Sequence, residues 1–134
     1  MTKRTVGCVL LGGLLMAGVS VQAHHSLAGV YDMKKESEVA GSVESVKFVN
    51  PHGSLTLAVK AADGTSTNWV FTLGSATALA ARGIGRTGEN ALHAGDKISV
   101  KFIPARSGAP LGFLKSVTMP DGRVVQISAG NAND

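Results

Sequence analysis

The sequence predicts a small, mostly β barrel carrying one short helix, on three observations. Apolar and polar residues alternate with period 2 in successive stretches, and Gly, Pro, Asp and Asn punctuate them as turns. A helical signal interrupts this alternation between the third and fourth stretches. The first stretch is long and changes phase partway along, as a strand does when it bends around a small barrel.

In residues 38–48, Val39, Gly41 and Val43 share one phase and Val46 and Phe48 the other. The slip at Glu44-Ser45 predicts a β-bulge. Asn50-Pro51-His52-Gly53 is a turn by composition. Leu55, Leu57 and Val59 then alternate with Thr56, Ala58 and Lys60 in a half-buried second strand, closed by the hairpin turn Ala62-Asp63-Gly64. Thr67, Trp69, Phe71 and Leu73 share one face of the third strand. Ser75 is a natural N-cap, residues 76–81 support a helix, and Gly83 suits the position just past its end. Residues 85–95 read as a loop. Ile98, Val100 and Phe102 mark a fourth strand ended by Pro104, and residues 107–112 form a Gly/Pro-rich turn. Residues 113–119 make a fifth strand, and residues 124–127 a short last one after Pro120-Asp121-Gly122. Strand, strand, strand, helix, strand, strand is the order of an OB-like Greek-key barrel of five to six strands, with one short helix between strands 3 and 4. Another small barrel or a compact sandwich is the alternative.

The N-terminal residues form a different class of segment. Lys3 and Arg4 precede an apolar or small run over residues 6–19, and Val21-Gln22-Ala23 fits a signal-peptidase site. The run falls short of the roughly 20 apolar residues that a spanning helix needs. Residues 1–23 are therefore expected to be a cleaved signal peptide, and the protein to be exported to the periplasm with no retained membrane segment. Residues 24–37 read as an extended lead-in with Tyr31 as its one large aromatic, residues 38–128 as the barrel, and residues 129–134 as a frayed tail. Removing 23 of the 134 residues leaves 111, one domain's worth. It also removes Cys8, the only cysteine, so neither a disulfide nor a thiolate ligand is expected. The loss of Lys3 and Arg4 lowers the formal charge from +4 to +2.

Several function classes fall away on this reading. The near-balanced charge and the inward phase of Phe48, Trp69, Phe71 and Phe102 leave neither a basic groove nor an exposed stacking platform for nucleic acid. Gly83, Gly85 and Gly88 follow the helix instead of preceding one and lack a Lys-Ser/Thr ending, which argues against a phosphate loop. Asp63 and Asp121 occupy Asp-Gly turns for backbone reasons. No pair of carboxylates shares a cleft, and Ser26 beside His25 lacks a rigid setting for nucleophilic catalysis. No enzyme activity is expected.

All four histidines, His24, His25, His52 and His93, survive the expected cleavage. A chain beginning at His24 chelates through its α-amine and imidazole together, and the amine, with an ordinary pKa of about 7.7–8.0, yields its proton readily to a metal. Imidazoles from His25 and His52 complete a nitrogen-rich set, which suits Cu(II) and also Zn(II). His52 lies in the loop between the first two strands, at the mouth where OB barrels commonly bind ligands. The thirteen residue steps from His24 to Ser37, at up to about 3.3 Å each, are long enough to reach that loop. The structural alternative is a solvated histidine tail and a His52 that steadies the turn beside Pro51. His93 reads as a surface-loop residue, and Met33 and Met119 as gap-filling side chains.

Taken together, several short motifs resemble a family of uncharacterised exported proteobacterial small β-domain proteins. They are Ala23-His24-His25-Ser26, Asn50-Pro51-His52, Asn68-Trp69-Val70-Phe71, Leu73-Gly74-Ser75, Arg82-Gly83, Gly95-Asp96 and Pro120-Asp121-Gly122-Arg123. The resemblance implies an exported OB-like domain and brings no assigned activity. It also implies that the motifs holding His24, His25 and His52 belong to the family pattern. Gly53-Ser54 and Ile84 stand where relatives often carry larger or aromatic residues, which would weaken a pocket built from those aromatics. The leading expectation is a periplasmic protein that binds copper for sequestration or delivery through His24, His25 and His52. The runner-up is a metal-free binding module that holds a small ligand, a peptide or a partner protein at the barrel mouth.

Overall fold

The computed structural model of the chain describes residues 27–128. The expected signal segment with Cys8, then His24, His25 and Ser26, and the tail at 129–134 lie outside the described residues. The elements are a helical turn α1 (Leu27–Val30), β1 (Ser37–Lys47), β2 (Ser54–Lys60), β3 (Ser66–Thr72), a short helix α2 (Ala76–Ala80), β4 (Lys97–Pro104), β5 (Leu111–Thr118) and β6 (Val124–Gln126). Antiparallel pairing runs β3-β2-β1-β4-β5-β6, and a parallel β3–β5 pairing closes the ring. The result is a closed five-stranded barrel of OB type plus one added strand, with only short helices.

Alternation decides which side of each strand is buried. Leu55 and Leu57 on β2, Phe71 on β3, and Ile98, Val100 and Phe102 on β4 all point into the barrel and are buried. The expected bulge is present on β1: Val43 faces Leu57 and Ser45 faces Thr56, which leaves Glu44 as the extra residue. A second irregularity, between β4 and β5, leaves Lys115 unmatched. Alternation alone did not foretell it, because hydrophobic residues run consecutively there. Phe71 and Phe102 meet edge-on at 5.0 Å between ring centroids, and Trp69 packs on both. These rings fit because position 112 is glycine; a β-carbon there would collide with both Phe102 and Phe71.

The two ends of the barrel differ. At one end α2 plugs the opening with Leu79, fully buried, and with Ile84 just beyond the helix. The helix stops as its sequence requires. Gly83 adopts φ +70°, its N–H donates to the Ala80 carbonyl, and the Ile84 N–H donates back to the Leu79 carbonyl. Ile84 is thus a core residue that seals the helix end, and its size reflects packing. At the opposite end Val39, Val59 and Trp69 are only half-buried, so Trp69 is a core residue at the barrel's open rim.

A second apolar cluster lies outside the barrel. Ile103, Ala105 and Phe113 are covered by Tyr31, with Leu27 and Met33 packed against them. Within the stretch expected to be extended, Leu27–Val30 makes a single helical turn, closed by the Tyr31 N–H donating to the Leu27 carbonyl. That turn brings Leu27 and Tyr31 onto the same side, over Phe113.

Candidate functional site

The loop carrying His52 is built on backbone constraints. The Asn50–Pro51 bond is cis, and the Asn50 side-chain oxygen accepts a hydrogen bond from the Ala76 N–H at 3.0 Å. Ser75 Oγ accepts from the Ala78 N–H at 3.2 Å, so two side chains cap the same helix start. Gly53 continues the β2–β3 ladder: its N–H donates to the Gly74 carbonyl, and its own carbonyl accepts from the Leu73 N–H. A β-carbon at Gly53 would lie 2.5 Å from the Lys47 carbonyl oxygen. A larger residue is thereby excluded from this backbone, and the glycine is a packing requirement. His52 projects between these fixed points and is exposed.

The lead-in is anchored close by. Arg106 holds it twice, through its backbone N–H to the Val30 carbonyl at 2.9 Å and through Nε to the Ala28 carbonyl at 2.8 Å. The Asp32 N–H donates to the Pro104 carbonyl, and the Tyr31 ring tilts against Phe113 at 5.9 Å. The Tyr31 hydroxyl shares a 2.7 Å hydrogen bond with Thr72 Oγ1. Thr72 faces Ser54 across the β2–β3 pair, and His52 is two residues upstream of Ser54. The Tyr31 side chain therefore reaches the strand position that pairs with Ser54, two residues from His52.

His52 contributes one imidazole there, and among the described residues no group of three or more His, Cys, Asp or Glu side chains is arranged to hold a metal. His24 and His25, the other two expected ligands, lie outside the described residues. His93 is a turn residue. Its N–H donates to the Asp96 carboxylate at 2.9 Å, and its ring nitrogen lies 3.9 Å from the same group. Met119 is buried in the barrel core, and Met33 packs on the outer cluster.

Two clefts escape a reading of motifs. A groove of about 710 Å³ opens where β1 and β2 diverge beyond the Ser42–Ala58 pair. Its floor is Ala40, Ser42 and Ala58, and Lys60, Lys97 and Glu44 form its rim; Lys97 Nζ donates to Ser42 Oγ at 2.6 Å. The signal available in the sequence was the uniform smallness of the outward residues Ala40, Ser42 and Ala58. A smaller crevice of about 420 Å³ lies between the end of β1 and the loop before β4.

Most of the remaining motif residues lock the fold together. Arg123 reaches Asp121 at 2.7 Å, the Asn90 side chain at 2.9 Å and the Glu89 carbonyl at 3.2 Å, while Asn90 donates to the Arg82 carbonyl at 3.0 Å. The hydrogen bond from the Arg123 side chain holds the Asp121 carboxyl below its usual range, and the same contact raises the Arg123 guanidinium. Gly95 and Asp96 bond both backbone groups of Val43, just before the β1 bulge.

The chain belongs to a family of unknown function (DUF6152), whose pattern matches residues 12–115. No curated protein and no solved structure matches it.

Proposed function

We propose that this chain is an exported periplasmic protein that binds a metal ion, copper in its divalent state, for sequestration or delivery. His24 chelates through amine and imidazole, and His25 and His52 complete the donor set. The observation that supports this reading is the Tyr31–Thr72 hydrogen bond, which ties the lead-in to the strand partner of Ser54, two residues from His52. Only three residue steps separate His24 from Leu27, roughly 10 Å of extended chain. The lead-in's anchor thus shortens the distance that chain must bridge. An imidazole-rich set of this kind suits Cu(II).

The test is a Cu(II) titration of protein whose N-terminus is confirmed as His24 by intact mass. It is repeated on His52→Ala and on a variant with one extra residue before His24. Affinity should fall sharply in both, with loss of the nitrogen-rich tetragonal resonance signal. Unchanged binding in both ends the reading.

A second reading, a metal-free module that recognises a small ligand, a peptide or a partner protein, is favoured by the β1–β2 groove. Its volume falls within the range of small-molecule sites, and its floor is open backbone and small side chains. Deleting the N-terminal histidines would leave such binding intact.

A further inference from the structure

The crevice at the end of β1 is a gap in the barrel wall. β1 pairs with β4 only as far as Ser42 and Lys97, and Val43 is then tied to Gly95 and Asp96 by two backbone bonds. Beyond that point the wall opens. Val46 faces Leu55 across the β1–β2 pair and so belongs to the inward set, yet both it and Phe48 are only half-buried. Solvent reaches them between β1 and the loop that carries Leu92 and Ala94. Core side chains are here accessible from outside.

Two opposite charges, Arg86 from the loop and Glu44 from β1, line this gap, with Ser45 and His93 as its other polar residues. Glu44 is the extra residue of the bulge, a device that re-aims a side chain away from the regular alternation. Among the described residues neither Arg86 nor Glu44 has a hydrogen-bond or ion-pair partner, and the two do not pair with each other. Elsewhere on the surface Asp32, Glu36 and Asp121 all have cationic partners. A guanidinium and a carboxylate without partners among the described residues, together with an apolar floor in the same crevice, form the complement of one chemical class.

We infer that this crevice binds a free apolar α-amino acid. The guanidinium takes the carboxylate, for which its planar fork is suited, and Glu44 takes the ammonium. The side chain lies on Val46, Phe48, Leu92 and Ala94. The volume of about 420 Å³ accommodates a leucine- or phenylalanine-sized molecule. None of the histidines of the metal reading takes part.

The experiment titrates L-leucine and L-phenylalanine into the purified protein, with chelator present, and follows backbone amide resonances. Saturable shifts should centre on residues 46, 48 and 94. N-acetyl-leucine, which lacks the ammonium, should bind at least about tenfold more weakly, the scale of one charge-assisted contact. Leucine should lose a similar factor with Glu44→Gln, and combining that variant with N-acetyl-leucine should cost little more. Leucinamide and Arg86→Gln form the matching pair for the carboxylate. The inference is overturned if millimolar leucine and phenylalanine produce no saturable shift. It is equally overturned if the capped analogues bind as tightly as the free amino acids, or if the shifts map to residues 40–42 and 58 in the neighbouring groove.

Discussion

The helix-capped end of the barrel and the wall beside the end of β1 are built on opposite choices. At the capped end polar groups are matched: Asn50 and Ser75 cap α2, Gly53 pairs with Leu73 and Gly74, and Ile84 closes the helix onto Leu79. At the wall, Arg86 and Glu44 stand beside half-buried Val46 and Phe48 with no partner among the described residues. Both regions hold residues that a reading of motifs would single out, but for different reasons. Asn50 of the Asn-Pro-His turn is a structural clamp, and His52, beside it, is free of that duty. A motif is therefore not a site until the backbone's demands have been subtracted from it.

The sharpest way to break this contrast is to attack the core that both regions share. Gly112→Val drives a side chain into Phe71 and Phe102 and should destabilise by about 3 kcal/mol or more. Denaturant unfolding followed by the fluorescence of Trp69, the single tryptophan, reads it directly. A near-native midpoint would mean that the ring pair can retreat and that the glycine is not required. Next in size are Asn50→Ala and Ser75→Ala, each expected to cost ~1 kcal/mol as lost helix caps. If Asn50→Ala were silent, the turn would not be clamped to the helix.

Smaller effects belong to the exposed Arg123 lock. Asp121 has a lowered pKa in the folded chain, so the stability it contributes is present above the unfolded carboxylate value of about 3.9. That contribution is lost as pH falls through the folded value. Arg123→Ala should lower Tm slightly at neutral pH, and the difference from wild type should vanish in strong acid. A difference that persists there would assign the effect to the bonds with Asn90 and Glu89. Smallest of all, Glu44→Gln and Arg86→Gln should leave Tm unchanged, because neither side chain has a partner among the described residues to lose.

Much of the barrel was legible in the sequence because period-2 alternation reports burial directly. Leu55 and Leu57, Phe71, and Ile98, Val100 and Phe102 face inward, and the phase slip at Glu44 marked the bulge. Ser75 and Gly83 likewise carry their own chemistry as cap and stop. The β4–β5 irregularity was hidden because Ile103 and Phe113 are apolar yet face outward, under a lead-in whose docking depends on a contact 41 residues away, Tyr31 with Thr72. The clefts were less legible still. A groove arises where β1 and β2 part, and a crevice where β1 leaves β4; both are facts of register that no single segment encodes. His52 was found from its type, and its nearness to the lead-in anchor emerges only once Thr72 and Ser54 are paired.

Copper binding by His24, His25 and His52 requires the lead-in to bring its histidines to His52. Paramagnetic broadening of amide resonances by substoichiometric Cu(II), on protein beginning at His24, tests this most directly. The predicted pattern broadens residues 52–54, Thr72 and Tyr31 together, and spares the loop around His93. Broadening confined to the residues before Leu27, with Ser54 and Thr72 untouched, would contradict it.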